Sequence, residues 1–519
     1  KNTSFHFFAL DEFDFPLILI QFQISEMLLE LIIGVVLLVV AYGYLINRIR
    51  GLPPGPPPLP LLGNALSLDE PMDETMLRWS KHYGPVFTVW MPEPVVVIAD
   101  HKVLQDTIVK QADLFGNRAL PINQLKLLAD GAYGLVFSDN NMWKEQRRFA
   151  LHSLRDVGFL SARLQESAKT YAQQIVADWK KEGADGTPVD PTENIMYGVA
   201  NLIWQLTFGR TLAFKDPLFN KVKDLVHKNF ILFVHPCVSF LDVFPPIVYL
   251  DPLFGYPVKT LVANTKDIVG VLEKELVVTE NSLNVDEEPR CYADSFFIEM
   301  RKREEKGETL GNFTRQQLNF ACFDMWAAGF ETTVTTLRFA VHYVMSNPDV
   351  QKKMQKEIDE KIGQRQISMD DQKSLPYCMA TIHEVQRIAN IAEINFFRET
   401  EQEVTIAGFK IPAGSAILPQ FASVHVDSAH FERPDYFCPE RHINEAGEFV
   451  KDPKITPFSF GKRACLGEGL ARMELFIFLT TFVQHCTFSS PTLIPPKLET
   501  TRGLTRSPVP YKVKVTARF

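Results

Sequence analysis

One long segment, residues 314–345, constrains the fold more than any other part of this 519-residue chain. Helical periodicity dominates here, and the segment is closed by Asn347-Pro348, because a residue before proline is disfavoured in a helix. At about 1.5 Å per residue, such a helix reaches about 48 Å. The sequence therefore predicts a helix that crosses a whole domain.

The remaining pattern is mainly α with a minor β portion. Two runs rich in β-branched residues, 85–90 and 94–98, are typical of strands, and short strands are also predicted at 403–411 and 509–515. By length alone the chain could hold three or four domains. No linker, repeat or low-complexity tract divides it after the proline run at 53–58, so one large catalytic domain is the simpler interpretation.

A cysteine loop near the C-terminus carries the clearest chemical signal. Cys465 lies between glycines in the run FSFGKRACLG, with Arg463 two residues before it and a helix-like stretch at 468–482 after it. Glycines let a backbone approach a flat ligand. A helix N-terminus and a nearby arginine favour the ionised sulfur that binds metals. Most lone cysteines are buried core residues, so the loop alone leaves both interpretations open.

This run resembles the haem-binding loop of the cytochrome P450 monooxygenases, F-x-x-G-x-R-x-C-x-G, at Phe458, Gly461, Arg463, Cys465 and Gly467. Five such matches are expected by chance less than roughly once in a million starting positions. The resemblance implies the cytochrome P450 fold, a helix-rich domain around haem b, with Cys465 as the axial thiolate ligand of the iron. It extends from about residue 27 to the end, and is close to the microsomal animal enzymes of xenobiotic, fatty-acid and steroid metabolism.

A second motif, Ala-Gly-Phe-Glu-Thr-Thr at 328–333, lies in the middle of the long helix. Threonine hydroxyls can bond the carbonyl four residues back and loosen the helix, which leaves room for oxygen and water. The run matches the family motif A-G-x-[DE]-T-T. By resemblance, Thr332 and Glu331 are catalytic residues that relay protons during oxygen activation, Thr332 most directly.

Trp143 and Arg147 match the pattern W-x-x-x-R. At i,i+4 spacing both side chains leave one helix face, where an indole N–H and a guanidinium can bind a carboxylate. In the family this carboxylate is a haem propionate. Arg463, Arg118 and Arg398 occupy positions that also bind propionates.

The resemblance also implies a buried ionic triad of Glu384, Arg387 and Arg441 behind the cysteine loop. Here His442 replaces the phenylalanine of the family pattern F-x-P-E-R-F, and we expect it to loosen that corner slightly. A second departure is Glu393, which stands roughly where the family has a proline in a pocket-lining segment. Its side chain either turns outward, the preferred interpretation, or places a carboxyl over the haem and biases the pocket toward polar or cationic substrates.

The N-terminal region predicts a membrane anchor. Residues 31–46 are uncharged and apolar, and with residues 27–29 they reach the length that spans a bilayer, Glu30 being the one charged interruption. Arg48 and Arg50 follow, which places the next domain in the cytosol. The alternative is a cleaved signal peptide, but no small-residue cleavage site follows.

The predicted organisation has four parts. Residues 1–26, which precede Met27, are expected to be a non-native or upstream extension. Residues 27–50 form the transmembrane anchor, residues 51–60 a stiff proline-rich hinge, and residues 61–519 the haem-thiolate catalytic domain.

The resemblance implies a monooxygenase of the endoplasmic reticulum membrane, with one N-terminal anchor and its catalytic domain facing the cytosol. It would insert one atom of O2 into a lipophilic substrate, with electrons from NADPH through a flavoprotein reductase and with cytochrome b5 as a further candidate partner. A net charge of −8 without a basic tract argues against nucleic acid. Seven scattered cysteines without a C-x-x-C pair suit a reducing compartment.

Two rival functions remain open. One is an enzyme of the same fold that rearranges or dehydrates oxygenated lipids without a reductase, and the other is a non-catalytic haem binder or sensor. Glu331 and Thr332 argue against both, since neither function needs a proton relay. Four cations near the cysteine loop have two equally good interpretations, a basic face that docks the reductase or scattered surface charge. They are Lys144, Arg148, Lys454 and Lys462. The substrate pocket is expected to draw on residues 115–135, 210–255, 323–327 and 391–396.

Overall fold

A computed structural model describes residues 30–31, 33–39, 41–42, 51–59, 62–68, 71–91, 93–158, 161–213, 216–492 and 495–519. The predicted extension at 1–26 lies outside these residues, as does about half of the predicted anchor at 27–50. The described part of that anchor is helical. Within the described ranges, no helix combines the length and the apolar character needed to cross a membrane.

Helices make up most of the described chain. The α-helices are α1 (Met72–Tyr83), α2 (His101–Leu104), α3 (Ile122–Ala129), α4 (Asn140–Asp156), α5 (Ala162–Glu182), α6 (Thr192–Phe208), α7 (Pro217–Leu232), α8 (Pro236–Ser239), α9 (Pro257–Asn281), α10 (Tyr292–Glu305), α11 (Arg315–Ser346), α12 (Pro348–Lys361), α13 (Pro376–Ala389), α14 (Ala422–His425) and α15 (Glu468–His485). A π turn at Gln105–Val109 continues α2. Short 3₁₀ turns are found at Ala65–Ser67, Ala112–Phe115, Phe240–Asp242, Pro245–Phe254, Met369–Ser374 and Pro439–His442.

The strands of the described residues form one small sheet and three two-stranded pairs. They are β1 (Val86–Met91), β2 (Glu93–Ile98), β3 (Arg398–Glu399), β4 (Val404–Ile406), β5 (Phe409–Ile411), β6 (Ala416–Pro419), β7 (Cys486–Ser489), β8 (Thr500–Thr501), β9 (Ser507–Pro508) and β10 (Lys514–Ala517). The sheet has the order β1-β2-β6-β3, in which only β2 and β6 are parallel. The pairs are β4 with β5, β7 with β10, and β8 with β9. The prediction of a mainly α fold with a minor β portion is confirmed.

The long central helix is α11, which contacts α6, α9, α13 and α15. Its bounds agree with the prediction, because both ends are set locally. The Thr314 hydroxyl accepts the N–H of Gln317 at the N-terminus, and Pro348 opens the next helix. A Cβ on Gly329 would lie 2.7 Å from Cδ1 of Ile203 on α6. The glycine therefore permits the close approach of α6 to the middle of α11.

The described residues of the predicted hinge lie against the sheet. Thr88 of β1 donates its N–H to the carbonyl of Pro54 over 2.9 Å and its hydroxyl to the carbonyl of Pro53 over 2.8 Å. A Cβ on Gly55 would overlap the carbonyl oxygen of Thr88. The proline run is therefore held on β1 by hydrogen bonds and by a close contact that only glycine allows.

Candidate functional site

The loop that carries Cys465 is held in a fixed shape just before α15. The N–H of Cys465 donates to the carbonyl of Phe458 over 2.9 Å. Gly461 has a φ of 72°, and a Cβ there would lie 2.6 Å from the backbone oxygen of Ile108. Both the left-handed conformation and the close approach require glycine at this position. The loop thus presents the sulfur from a backbone that cannot easily shift.

The side chain of Cys465 is accessible to solvent, yet it lies deep enough for desolvation to raise the pKa of its thiol. The backbone N–H of Gly467 and the positive charge of Arg147 act in the opposite direction. We expected Arg463 to favour the ionised sulfur. Its guanidinium instead binds Asp139, and Arg147 is the cation that acts on the thiol.

Arg147 and Arg463 surround Trp143 beside the cysteine loop. Arg147 donates from Nη2 to the carbonyl of Ala464 over 2.6 Å. The guanidinium of Arg463 lies 3.8 Å from the centre of the Trp143 ring and is 2.7 Å from Asp139. The W-x-x-x-R pair of α4 therefore reaches the residue next to Cys465.

Arg118 and Arg398 complete the group of predicted haem-binding residues. Arg118 donates from Nε to the carbonyl of Val136 over 2.8 Å, and its guanidinium lies over the ring of Phe396 at 4.8 Å. Arg398 of β3 donates from Nη2 to the carbonyl of Phe460 over 3.2 Å. Parts of the chain from residue 118 to residue 463 thus place four arginines and one tryptophan around the same space.

This group of residues fits a ligand with two carboxylates. Burial, and secondly repulsion by Arg118, lowers the pKa of Arg398 and of Arg463. Among the described residues, Asp139 is the one carboxylate ion-paired with any of the four arginines. Trp143 Nε1 and Arg398 Nε are buried and have no hydrogen-bond partner within the described ranges. Haem has an iron for Cys465 and two propionates for these donors, so the residues present suit it.

The Ala-Gly-Phe-Glu-Thr-Thr motif at 328–333, called the oxygen motif below, lies on an unbroken stretch of α11. As predicted, the Thr332 hydroxyl donates to the carbonyl of Ala328, over 2.7 Å. This bond does not interrupt the helix, which runs continuously through residues 328–333. Glu331 is buried, and its Oε1 lies 3.1 Å from Nδ1 of His227 on α7. The structure therefore places the two predicted catalytic side chains in different environments, with Glu331 bound to a second helix.

The predicted ionic triad is present and has a fourth member. Arg387 donates to both oxygens of Glu384 over 2.9 and 2.8 Å, and Arg441 donates to Oε1 over 3.0 Å. His442, expected to loosen this corner, instead lies 2.9 Å from Oε2. Burial alone would raise the pKa of Glu384, but hydrogen bonds from Arg387 and His442 and attraction to both arginines outweigh it, and the pKa falls to about 2.

Glu393 does not turn outward, which was the preferred interpretation, since its side chain is only 14% exposed. Its Oε1 forms an ion pair with Arg506, and its Oε2 accepts the N–H of Met72 over 3.2 Å. Arg506 also binds Asp73 over 2.7 Å. One guanidinium therefore joins the segment after α13, the start of α1 and the C-terminal region. The pattern around Glu393 did not predict this partner.

Aromatic rings from two of the predicted pocket regions, 210–255 and 391–396, meet near Arg118 on either side of Phe137, which lies just outside the predicted region 115–135. Phe137 lies 5.9 Å from Phe233 and 5.9 Å from Phe396, measured between ring centres. Tyr133 stacks on Phe320 of α11 at 6.0 Å. Ring contacts thus connect Phe137 with the end of α7 and with the segment before β3, and a separate ring pair joins Tyr133 to α11.

Sequence reasoning missed three acids and bases of the site. Asp139 pairs with Arg463, and His227 pairs with Glu331. Asp324 of α11 accepts the N–H groups of Leu135 and Val136 over 2.6 and 2.8 Å, which ties the helix to the loop before α4. An aspartate in a mostly apolar helix was a signal for Asp324, whereas nothing local distinguishes His227 or Asp139.

Comparison with known proteins agrees with this geometry. The family model described as cytochrome P450 matches residues 53–515. "Probable cytochrome P450 CYP36A1" of Caenorhabditis elegans is 36% identical over 494 residues, which cover 94% of this chain and 99% of that protein. Cytochrome P450 2K1 of Oncorhynchus mykiss is 34% identical over 90% of this chain and 92% of its own length. Cytochrome P450 2J3 of Rattus norvegicus is 36% identical over 91% of this chain and 93% of its own length.

Proposed function

Since this chain belongs to the cytochrome P450 family of haem monooxygenases, we propose that Cys465 binds the haem iron and that the substrate is a lipophilic organic molecule. The reaction is RH + O2 + NADPH + H⁺ → ROH + H2O + NADP⁺. The observation that carries the site assignment is the bond from Arg147 to Ala464, which sets the thiol next to a group of buried and partly buried cations. An iron ligand and a propionate site are thus side by side.

Each site residue has a separate role in this proposal. The haem, when bound, supplies the oxygen chemistry, and the thiolate donates electron density to its iron. Charge-assisted hydrogen bonds would hold the propionates on Trp143, Arg118, Arg147, Arg398 and Arg463. Glu331 and Thr332 supply protons, and the rings of Phe137, Phe233 and Phe396 exclude water and select apolar substrates.

The reduced carbon-monoxide difference spectrum tests the ligand assignment. We expect the red-shifted band typical of a thiolate ligand in the wild type and its loss in Cys465→Ser. Cys438→Ser is the matched control, because this sulfur lies 3.6 Å from a carboxylate oxygen of Glu440 and serves no haem contact in the proposal. A thiolate-type band that survives in Cys465→Ser would refute the assignment.

We propose an NADPH-dependent flavoprotein reductase as the electron donor, with cytochrome b5 as a further candidate. Of the four predicted docking cations, Lys144, Lys454 and Lys462 have acidic neighbours in Glu401, Asp452 and Asp113. Arg148 of α4 is exposed and has no ion pair within the described ranges, so it is the strongest docking candidate. Arg148→Glu should raise the KM for the reductase, whereas Lys221→Glu on α7 should not; equal effects would favour scattered surface charge.

We propose a location at the endoplasmic reticulum membrane, with the catalytic domain facing the cytosol. The support within the described chain is an apolar surface between α8 and α9. Phe244, Tyr249, Leu253 and Phe254 are exposed by 53%, 82%, 79% and 54%. Such a surface can lie in the bilayer and admit lipophilic substrates from it. Protease digestion of intact microsomes tests the orientation, since a cytosolic domain is cleaved without detergent and a lumenal one is protected.

A further inference from the structure

One contact in the site has no role in the function proposed above. His227 of α7 and Glu331 of α11 are 104 residues apart in the chain, yet Nδ1 of the imidazole lies 3.1 Å from Oε1 of the carboxylate. The two side chains differ in accessibility, since that of His227 is 39% exposed and that of Glu331 is 3% exposed. The histidine therefore connects a buried acid of the oxygen motif with a position that solvent can reach.

The second oxygen of Glu331 has no such contact. Oε2 is buried and has no hydrogen-bond partner among the described residues. A buried carboxylate oxygen without a partner is costly, and a water molecule or a neighbouring hydroxyl would satisfy it. The carboxyl group can thus accept a proton on one oxygen and donate one from the other.

The contacts around His227 on balance favour the protonated form of its ring and raise its pKa. The hydrogen bond to Glu331 raises the pKa of His227, against burial, which lowers it. Asp224 of α7 acts in the same direction as Glu331, and Arg338 of α11 acts against them. Asp267 of α9, a helix that also packs on α7, is already paired with Lys221.

We propose that His227 is a positioning residue that supplies protons to the oxygen motif by passing them from solvent to Glu331. This inference rests on the proposed role of Glu331 and Thr332 as the proton relay. In the step, the N–H bond at Nδ1 breaks and an O–H bond forms at Oε1. The products are a neutral imidazole and a neutral carboxyl group, and the exposed ring regains a proton from water.

A purely structural role explains the contact less well. Helices α7 and α11 are already joined by Phe219 and Phe330, whose rings lie 6.4 Å apart. Phe219 is 4% exposed and Phe330 is fully buried. Because this apolar contact holds the two helices together, a half-exposed histidine is not needed for packing.

Three variants and one control test the proposal. His227→Gln keeps a donor for Glu331 but cannot transfer a proton, and Glu331→Gln removes the acceptor. His227→Phe removes both the donor and the proton carrier. His152→Gln is the control, since His152 forms a similar pair with Asp156 on the surface of α4.

The first measurement is NADPH-driven oxygen consumption with reductase in excess, as a function of pH and in heavy water. We expect the wild-type rate to fall as pH rises through the pKa of His227, and the rate of His227→Gln to be about 10-fold lower without this inflection. His227→Phe and Glu331→Gln should resemble it, and His152→Gln should match the wild type. A wild-type rate and inflection in His227→Gln would refute proton transfer and leave only a structural contact.

The second measurement does not depend on turnover. A histidine whose pKa is raised by folding stabilises the protein below its unfolded pKa, and this contribution is lost as pH rises through the folded pKa. The melting temperature of the wild type should therefore fall more between pH 6 and pH 8 than that of His227→Gln or Glu331→Gln. Equal pH slopes would refute the ion pair itself. The carbon-monoxide spectrum of every variant separates this failure from failure of the proposed function. If the thiolate-type band is present, only the proton-transfer proposal has failed. If the band is absent, the proposed function itself has failed.

Discussion

Replacement of Glu384 by glutamine tests how strongly the ionic triad stabilises this protein. Glu384 and Arg387 are both fully buried, and besides the Cys438 N–H the carboxylate has four hydrogen-bond contacts from three side chains, those of Arg387, Arg441 and His442. Glutamine has the same shape, but it carries no charge, and its amide nitrogen would face a donor of Arg387 or His442. The variant therefore leaves a buried guanidinium without a compensating negative charge, with the amide oxygen and the carbonyl of His425 as its acceptors.

The loss of folding free energy in Glu384→Gln follows from two quantities. Breaking a buried pair by removing one partner costs about 3–5 kcal/mol. The pKa of Glu384 falls from 4.5 to about 2, which corresponds to about 3 kcal/mol of stability at neutral pH. At about 2.1 cal/mol/K per residue, a domain of about 460 residues has an unfolding entropy near 1 kcal/mol/K, so we expect a melting temperature about 3–5 °C lower.

The assay is thermal unfolding of the haem-loaded protein by circular dichroism, with Glu440→Gln as the control. Glu440 contacts Lys353 and Tyr377, but its side chain is 44% exposed, so its loss should change the melting temperature by less than about 1 °C. A carboxylate with a lowered pKa stabilises the folded state above its unfolded pKa. Wild-type stability should therefore decline as pH falls from about 4.5 to 2, and less so in Glu384→Gln. A melting temperature for Glu384→Gln within 1 °C of the wild type would refute the reasoning.

Two glycines yield further predictions. Gly329→Val should lower the melting temperature by about 1–3 °C, because overpacking against Ile203 costs about 1–3 kcal/mol. Adding Ile203→Ala should restore part of the lost melting temperature. If nothing is restored, the loss has another cause. Gly461→Ala should lower the ratio of haem to protein, because its Cβ meets a backbone oxygen in a left-handed turn. Gly467→Ala is its control, since a Cβ there has no atom within 4 Å, and equal haem loss in both variants would contradict the steric argument.

Locally encoded features were predictable from the sequence. The ends of α11 depend on Thr314 and Pro348, which lie within or beside the helix, and both agree with the structure. The hairpin of β1 and β2 likewise follows from two adjacent runs of β-branched residues. The residues around the cysteine loop could be named from resemblance, because the motifs fix which side chains occur at each position.

Partners that are distant in the chain were not predictable. Glu393 binds Arg506, and Glu331 binds His227, across 113 and 104 residues. Periodicity says which face of a helix is buried, but the choice among many charged residues depends on tertiary packing. The same limit applies to His442, whose ring adds a contact to Glu384 where a weaker corner was expected.

The proline run on β1 bears on where the folding unit begins. A chain shortened to start after Pro58 would lack the carbonyls that accept the N–H and hydroxyl of Thr88. It would also lack both carbonyls that the buried Asn64 amide contacts, those of Pro56 and Pro57. A truncated form intended for crystallisation or for solution studies should therefore keep residues 53–58, although they have no regular secondary structure.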